Sequence, residues 1–179
     1  MECSGNIRAC DRAVNMLRWA LQLARTRRAG KLVVAALGPL ILRSSRRFHG
    51  IPSRAWLDPY ILGFMAMLIT ALARTEHPTL SDADLCVLQA STWSELTEMD
   101  AELFGAEVVL LAESHDSQFL SGCCDAENVI AAISIAKASQ QVDTPDSEAW
   151  AAVARTWEMT FDHRTMNIAS DASISFGRS

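Results

Sequence analysis

Asp58-Pro59-Tyr60-Ile61-Leu62-Gly63-Phe64-Met65-Ala66-Met67-Leu68-Ile69-Thr70-Ala71-Leu72-Ala73-Arg74 is the stretch whose reading decides the fold. Asp58 is a capping residue, and Pro59 suits the first helical position, where its missing N–H costs nothing. The 14 residues from Tyr60 to Ala73 carry no charge. A membrane span needs about 20 apolar residues, so this run is too short to cross. A helix that is apolar all round at this length belongs in the centre of a helical core or at an interface. The expected architecture is therefore all-α: a bundle of about six helices around a charge-free central helix at 59–74. Tyr60, Phe64 and Met67 are the expected interface residues. The few other helices leave doubt that one chain covers such a helix, and a second copy would complete it. Gly63, Met65 and Met67 suit a close or adaptable contact.

On the N-terminal side, Arg43 to Arg54 mixes Arg43, Arg46, Arg47, His49 and Arg54 with Ser44, Ser45, Gly50 and Pro52. That composition reads as a basic linker, and Arg43, Arg46, Arg47 and Arg54 are the candidate anion-binding residues. Before it, Leu32–Leu42 is interrupted by Gly38-Pro39, which predicts a short helix ending near Leu37. Earlier still, Ile7, Cys10, Val14, Leu17, Leu21 and Ala24 recur at alternating spacings of three and four. They form one stripe of a helix over about 6–28, with Arg8, Arg12, Arg18, Arg25 and Arg27 read as off it.

On the C-terminal side, Ser81 with Asp84 outlines a capping box, and Asp100 caps a helix through Leu111 facing inward by Leu103, Phe104, Val108 and Leu111. Residues 115–122 read as a loop, and Asp125 as the start of a helix with Val129, Ile130, Ile133 and Ala136 on its core face. Thr144-Pro145 opens a last helix with Trp150, Val153, Ala154, Trp157 and Phe161 on one stripe. The domain is expected over 1–163, with a loosely ordered tail at 164–179.

The charges are sorted by position. Residues 1–75 carry 12 basic and 3 acidic side chains (+9), and residues 76–179 carry 4 and 18 (−14), which sums to the formal −5 of the chain. Such a dipolar chain either offers a basic face to an anion or pairs its halves. Nearly all the positive charge is guanidinium, which suits carboxylate or phosphate. Five cysteines, an odd number, with no C-x-x-C and no secretory signal point to a reducing, cytoplasmic location.

No catalytic residue or metal ligand set is assigned, and no cofactor is expected. There is no Gly-x-Ser-x-Gly, no phosphate-binding Gly-rich loop and no Glu-x-x-His pair. Glu113, His115, Asp116, Cys123 and Cys124 group in sequence without the spacing of a zinc site. The leading expectation is a non-catalytic, self-associating protein, partnered by a second copy or another protein. The alternative is a peripheral membrane or anion-binding protein using the basic N-terminal helix and the 43–54 segment. A second alternative is an enzyme or ligand-binding bundle with a site near 113–124. Nucleic acid is not the expected partner, because no reading motif accompanies the arginines and the acidic half repels a polyanion.

Overall fold

The computed structural model describes the backbone of residues 4–140 and 147–176 and the side chains of residues 22–139 and 148–170. The helices are α1 (Ser4–Phe48), the single turn α2 (Ser53–Trp56), α3 (Pro59–Glu76), α4 (Asp82–Thr97), α5 (Ala101–Glu113), α6 (Ser117–Gln140), α7 (Ser147–Trp157) and α8 (His163–Phe176). A π-helical turn, Glu158–Asp162, joins α7 to α8 without a break. No strand occurs among the described residues, and the chain is an all-α bundle.

The charge-free helix is its centre. Ile61, Leu62, Phe64, Met65, Leu68, Ile69 and Ala73 of α3 are inaccessible to solvent. Asp58 caps the helix by accepting from the Ile61 N–H at 3.3 Å. The closest neighbour of α3 is α6, and two glycines set that distance. A Cβ on Gly63 would overlap the Phe119 carbonyl, and one on Gly122 would overlap the Tyr60 carbonyl. The Cys123 thiol fits beside the same crossing, 3.4 Å from the Gly63 carbonyl oxygen. Around this pair, α1 packs on α4, α5 on α4 and α7 on α6. An aromatic chain threads the core: Phe104 stacks on Trp93 (4.6 Å between centroids), Trp93 meets Trp56 edge-on (5.5 Å), and Trp56 meets Phe161 (5.5 Å). Phe161 and Trp157 then close on Phe64.

Several boundaries differ from the sequence reading. The first helix does not stop near Arg28, and Pro39 does not end a second one, because α1 runs through to Phe48. Ala35 and Pro39 lie on its solvent side, so the carbonyl that loses its donor to proline faces water. The 43–54 segment is likewise no linker. Its first half is the last turns of α1, held by a buried stripe of Leu40, Ile41 and Ser44. A turn follows in which His49 and Gly50 take positive φ and the Gly50 N–H returns to the Ser45 carbonyl at 2.8 Å, the six-to-one bond of a Schellman stop.

The expected loop at 115–122 is mostly helix. His115 adopts φ 53° and the Asp116 N–H reaches the Leu111 carbonyl, ending α5. The Asp116 carboxylate then accepts from the Gln118 and Phe119 N–H groups, both at 2.9 Å, and starts α6 at Ser117. The expected tail from residue 164 is helical as far as Phe176. Arg164 pairs with Asp58 through two hydrogen bonds (2.9 and 2.7 Å), and Thr165 is fully buried. The Ser81–Asp84 capping box and the Asp100 cap form as expected. Thr144-Pro145 lies outside the described residues. Of the last helix's stripe, Val153, Trp157 and Phe161 are buried, while Trp150 is half-buried.

Candidate functional site

The residues read as an interface on α3 serve the core of their own chain. Phe64 is sealed beneath Trp157 and Phe161. Tyr60 donates to Asp125 on α6 at 2.9 Å and lies under the Arg164 guanidinium, 5.5 Å from its ring centroid. Burial, reinforced by the Asp125 carboxylate, pushes the Tyr60 phenol well above its ordinary value of 10. Met67 alone of the three is half-open. The close-packing residue types of this helix were legible, and the backbone that Gly63 meets is that of α6 in the same chain.

The four candidate anion-binding arginines are divided by the fold. Arg43 pairs with Glu158; Arg47 pairs with Asp162 at 3.1 Å and approaches Glu158 at 3.7 Å. Arg54 donates to the Ala169 carbonyl at 3.3 Å. Arg46 is exposed with no ion pair among the described residues. Beneath Arg47 lies a buried polar core: Ser44 Oγ donates to Asp162 and accepts from the Trp157 indole N–H at 2.9 Å. Two of the arginines expected to face an external anion therefore bind the acidic half of the chain. Arg25, Arg27 and Arg28 of α1 have no ion pair among the described residues, and neither has Lys31.

A groove of about 500 Å³ opens beside this cluster, between the end of α1 and the α7–α8 run. Phe48, Met159 and Met166 give it apolar walls; Arg47, Arg155, Glu158 and Asp162 supply the charge, with the His163 ring beside them. The π-helical turn forms one side, and such turns recur at functional sites. Two guanidinium groups face two carboxylates, so the wall carries no net preference for an anion.

The 113–124 group does not converge. His115 holds the left-handed stop of α5, with Nδ1 3.0 Å from the Glu113 carbonyl oxygen, and Asp116 caps α6. Cys123 turns toward α3, where burial raises its thiol above the usual range, while Cys124 is exposed. Among the described residues no three His, Cys, Asp or Glu side chains gather as a metal-ligand set.

Large apolar side chains are exposed at several points of the bundle, Val87, Ile135 and Met159 among them, and on α5 and α1 they fall in rows. On α5, Leu103, Val109 and Leu110 are 40%, 55% and 62% exposed, and Ala106 is exposed among them. Leu103, expected to face inward, points out because Phe104 occupies the core position against Trp93. On α1, Leu32 and Leu42 are 41% and 51% exposed, in line with exposed Ala24, Ala35 and Pro39. At ~100° per residue, this row lies roughly 140° around α1 from the row that packs inward, Thr26, Ala29, Val33, Leu37, Leu40 and Ser44.

No protein-family model, curated protein or solved structure matches the chain.

Proposed function

We propose that the protein is a non-catalytic helical association protein whose first partner is a second copy of itself, in a reducing, cytoplasmic setting. The observation that carries this reading is the pair of outward apolar faces on α5 and α1. A helix whose apolar side chains remain in water after its bundle has closed is suited to burying them against another surface. The interface assigned here is not Tyr60 and Phe64, which the core consumes. Light scattering and sedimentation equilibrium of the full chain across a wide concentration range test the reading. A concentration-dependent dimer or larger assembly is expected; a monomer at every concentration overturns it.

One observation favours a second reading, attachment to an anionic membrane surface. Arg25, Arg27, Arg28 and Lys31 are exposed beside the apolar row of α1 and carry no ion pair among the described residues. A basic amphipathic helix of this kind lies on anionic lipid. Residues 117–139 of α6 are also long and apolar enough to cross a membrane by length and composition, but their Phe119, Ala126, Val129, Ile133 and Ala136 are spent on the bundle core. Co-sedimentation with anionic and with neutral vesicles separates the two readings. Binding to anionic vesicles alone, lost as salt rises, supports attachment; no binding to either removes it.

A further inference from the structure

The two outward faces differ in charge as well as in place. On α5, Glu102, Leu103, Ala106, Val109, Leu110 and Glu113 are all exposed, and at ~100° per residue they span about one third of the circumference. Neither glutamate has an ion pair among the described residues, and neither have Glu95, Glu98 and Glu107 nearby in sequence. No lysine or arginine occurs between Arg74 and Lys137, a stretch that holds 12 carboxylates. The α5 face is thus apolar with a carboxylate near each end of the helix.

The α1 face is its counterpart. Arg25, Arg28, Lys31 and Arg46 are exposed around Ala24, Leu32, Ala35 and Leu42, again within about one third of the circumference. None of these four cations has an ion pair among the described residues. Both faces stay open when the chain is folded, so neither covers the other within one molecule.

We infer that the outward face of α1 on one copy docks on the outward face of α5 on another. This rests on the self-association reading and names its contact. Pairing α1 with α1 would oppose four cations to four cations, and pairing α5 with α5 would oppose carboxylates; like-charge juxtaposition disfavours both. Pairing α1 with α5 buries the leucines of both faces and sets guanidinium groups against carboxylates. Repeated about a twofold axis the contact closes a dimer, and without one it extends into an open chain.

Charge reversal in the full chain tests the contact. Arg25→Glu with Arg28→Glu, and separately Glu102→Lys with Glu113→Lys, are compared with the combination of all four. All substitutions are on exposed positions, and circular dichroism melting checks that each variant is folded. Each pair alone should weaken association about tenfold or more, and the combination should restore it to within about threefold, because opposite charges again face each other. Association of the parent chain should also weaken as salt rises. A parent chain that is monomeric throughout overturns the self-association reading and this contact with it. A parent chain that associates but is indifferent to the α5 pair, or whose losses the combination does not repair, overturns the α1–α5 contact and leaves self-association standing.

Discussion

The single tyrosine of the chain is an internal reporter. Tyr60 is held by burial and by Asp125, so its phenol is protonated more firmly in the folded protein than in the unfolded chain. The stability it contributes is complete below the unfolded value of about 10 and is lost as pH rises beyond it. An alkaline titration followed by phenolate absorbance should show no ionisation near the ordinary value while the helix signal is intact, and then ionisation together with unfolding. A phenolate appearing in the folded state near that value would contradict the part-buried Tyr60–Asp125 bond. Ser44 makes a second test. Ser44→Ala strands the Trp157 indole N–H and removes a donor from the buried Asp162 carboxylate, at a cost of about 1–3 kcal/mol; denaturant titration measures it. Caps such as Asp58, Ser81 and Asp100 were legible because donor and acceptor lie within a few residues. Ser44 and Asp162 are separated by 118 positions, and no local signal links them. His115 and its neighbours lack the spacing of a zinc site, and its backbone angle makes it a helix stop.

Among the elements, α3 and α6 depend on contact without side chains. Gly63→Ala should destabilise by about 3 kcal/mol or more, since the added carbon meets backbone that cannot turn aside. Gly105→Ala is the control: a Cβ there meets nothing within 4 Å, and helix propensity favours alanine by up to about 1 kcal/mol. Thermal melts that rank the two variants the other way would refute the α3–α6 crossing. The centrality of α3 was readable because a charge-free helix has few places to go. The length of α1 was not. Gly38-Pro39 and the cluster of arginines, serines and histidine argued locally for breaks. The helix survives because Leu40, Ile41 and Ser44 keep the inward row of Val33 and Leu37 in register with α3, α4 and Trp157, a periodicity hidden beneath the charges.

At the scale of the whole molecule, the charge sorting is only half resolved within one chain. Arg43, Arg47 and Arg164 meet acids far along the sequence, while the cations at 25–31 and the carboxylates of α5 have no ion pair among the described residues. Of the 43–54 arginines, the candidates for an external anion, Arg43, Arg47 and Arg54 are engaged within the chain and Arg46 is exposed. The ion-pair clasp near the end of the chain has a further consequence, for the order in which the protein assembles. Arg43–Glu158, Ser44–Asp162 and Asp58–Arg164 each close a loop of more than a hundred residues, which makes them entropically late contacts. Neighbouring helices such as α4 and α5 close far shorter ones. The α7–α8 run should therefore dock last and open first, and its amides should exchange hydrogen faster than those of α3 and α6 under native conditions. Phe64 has no aromatic cover from this side until Trp157 and Phe161 arrive. A nascent chain thus carries an unroofed apolar helix until synthesis has passed Thr165, and that interval is when it most needs protection from aggregation.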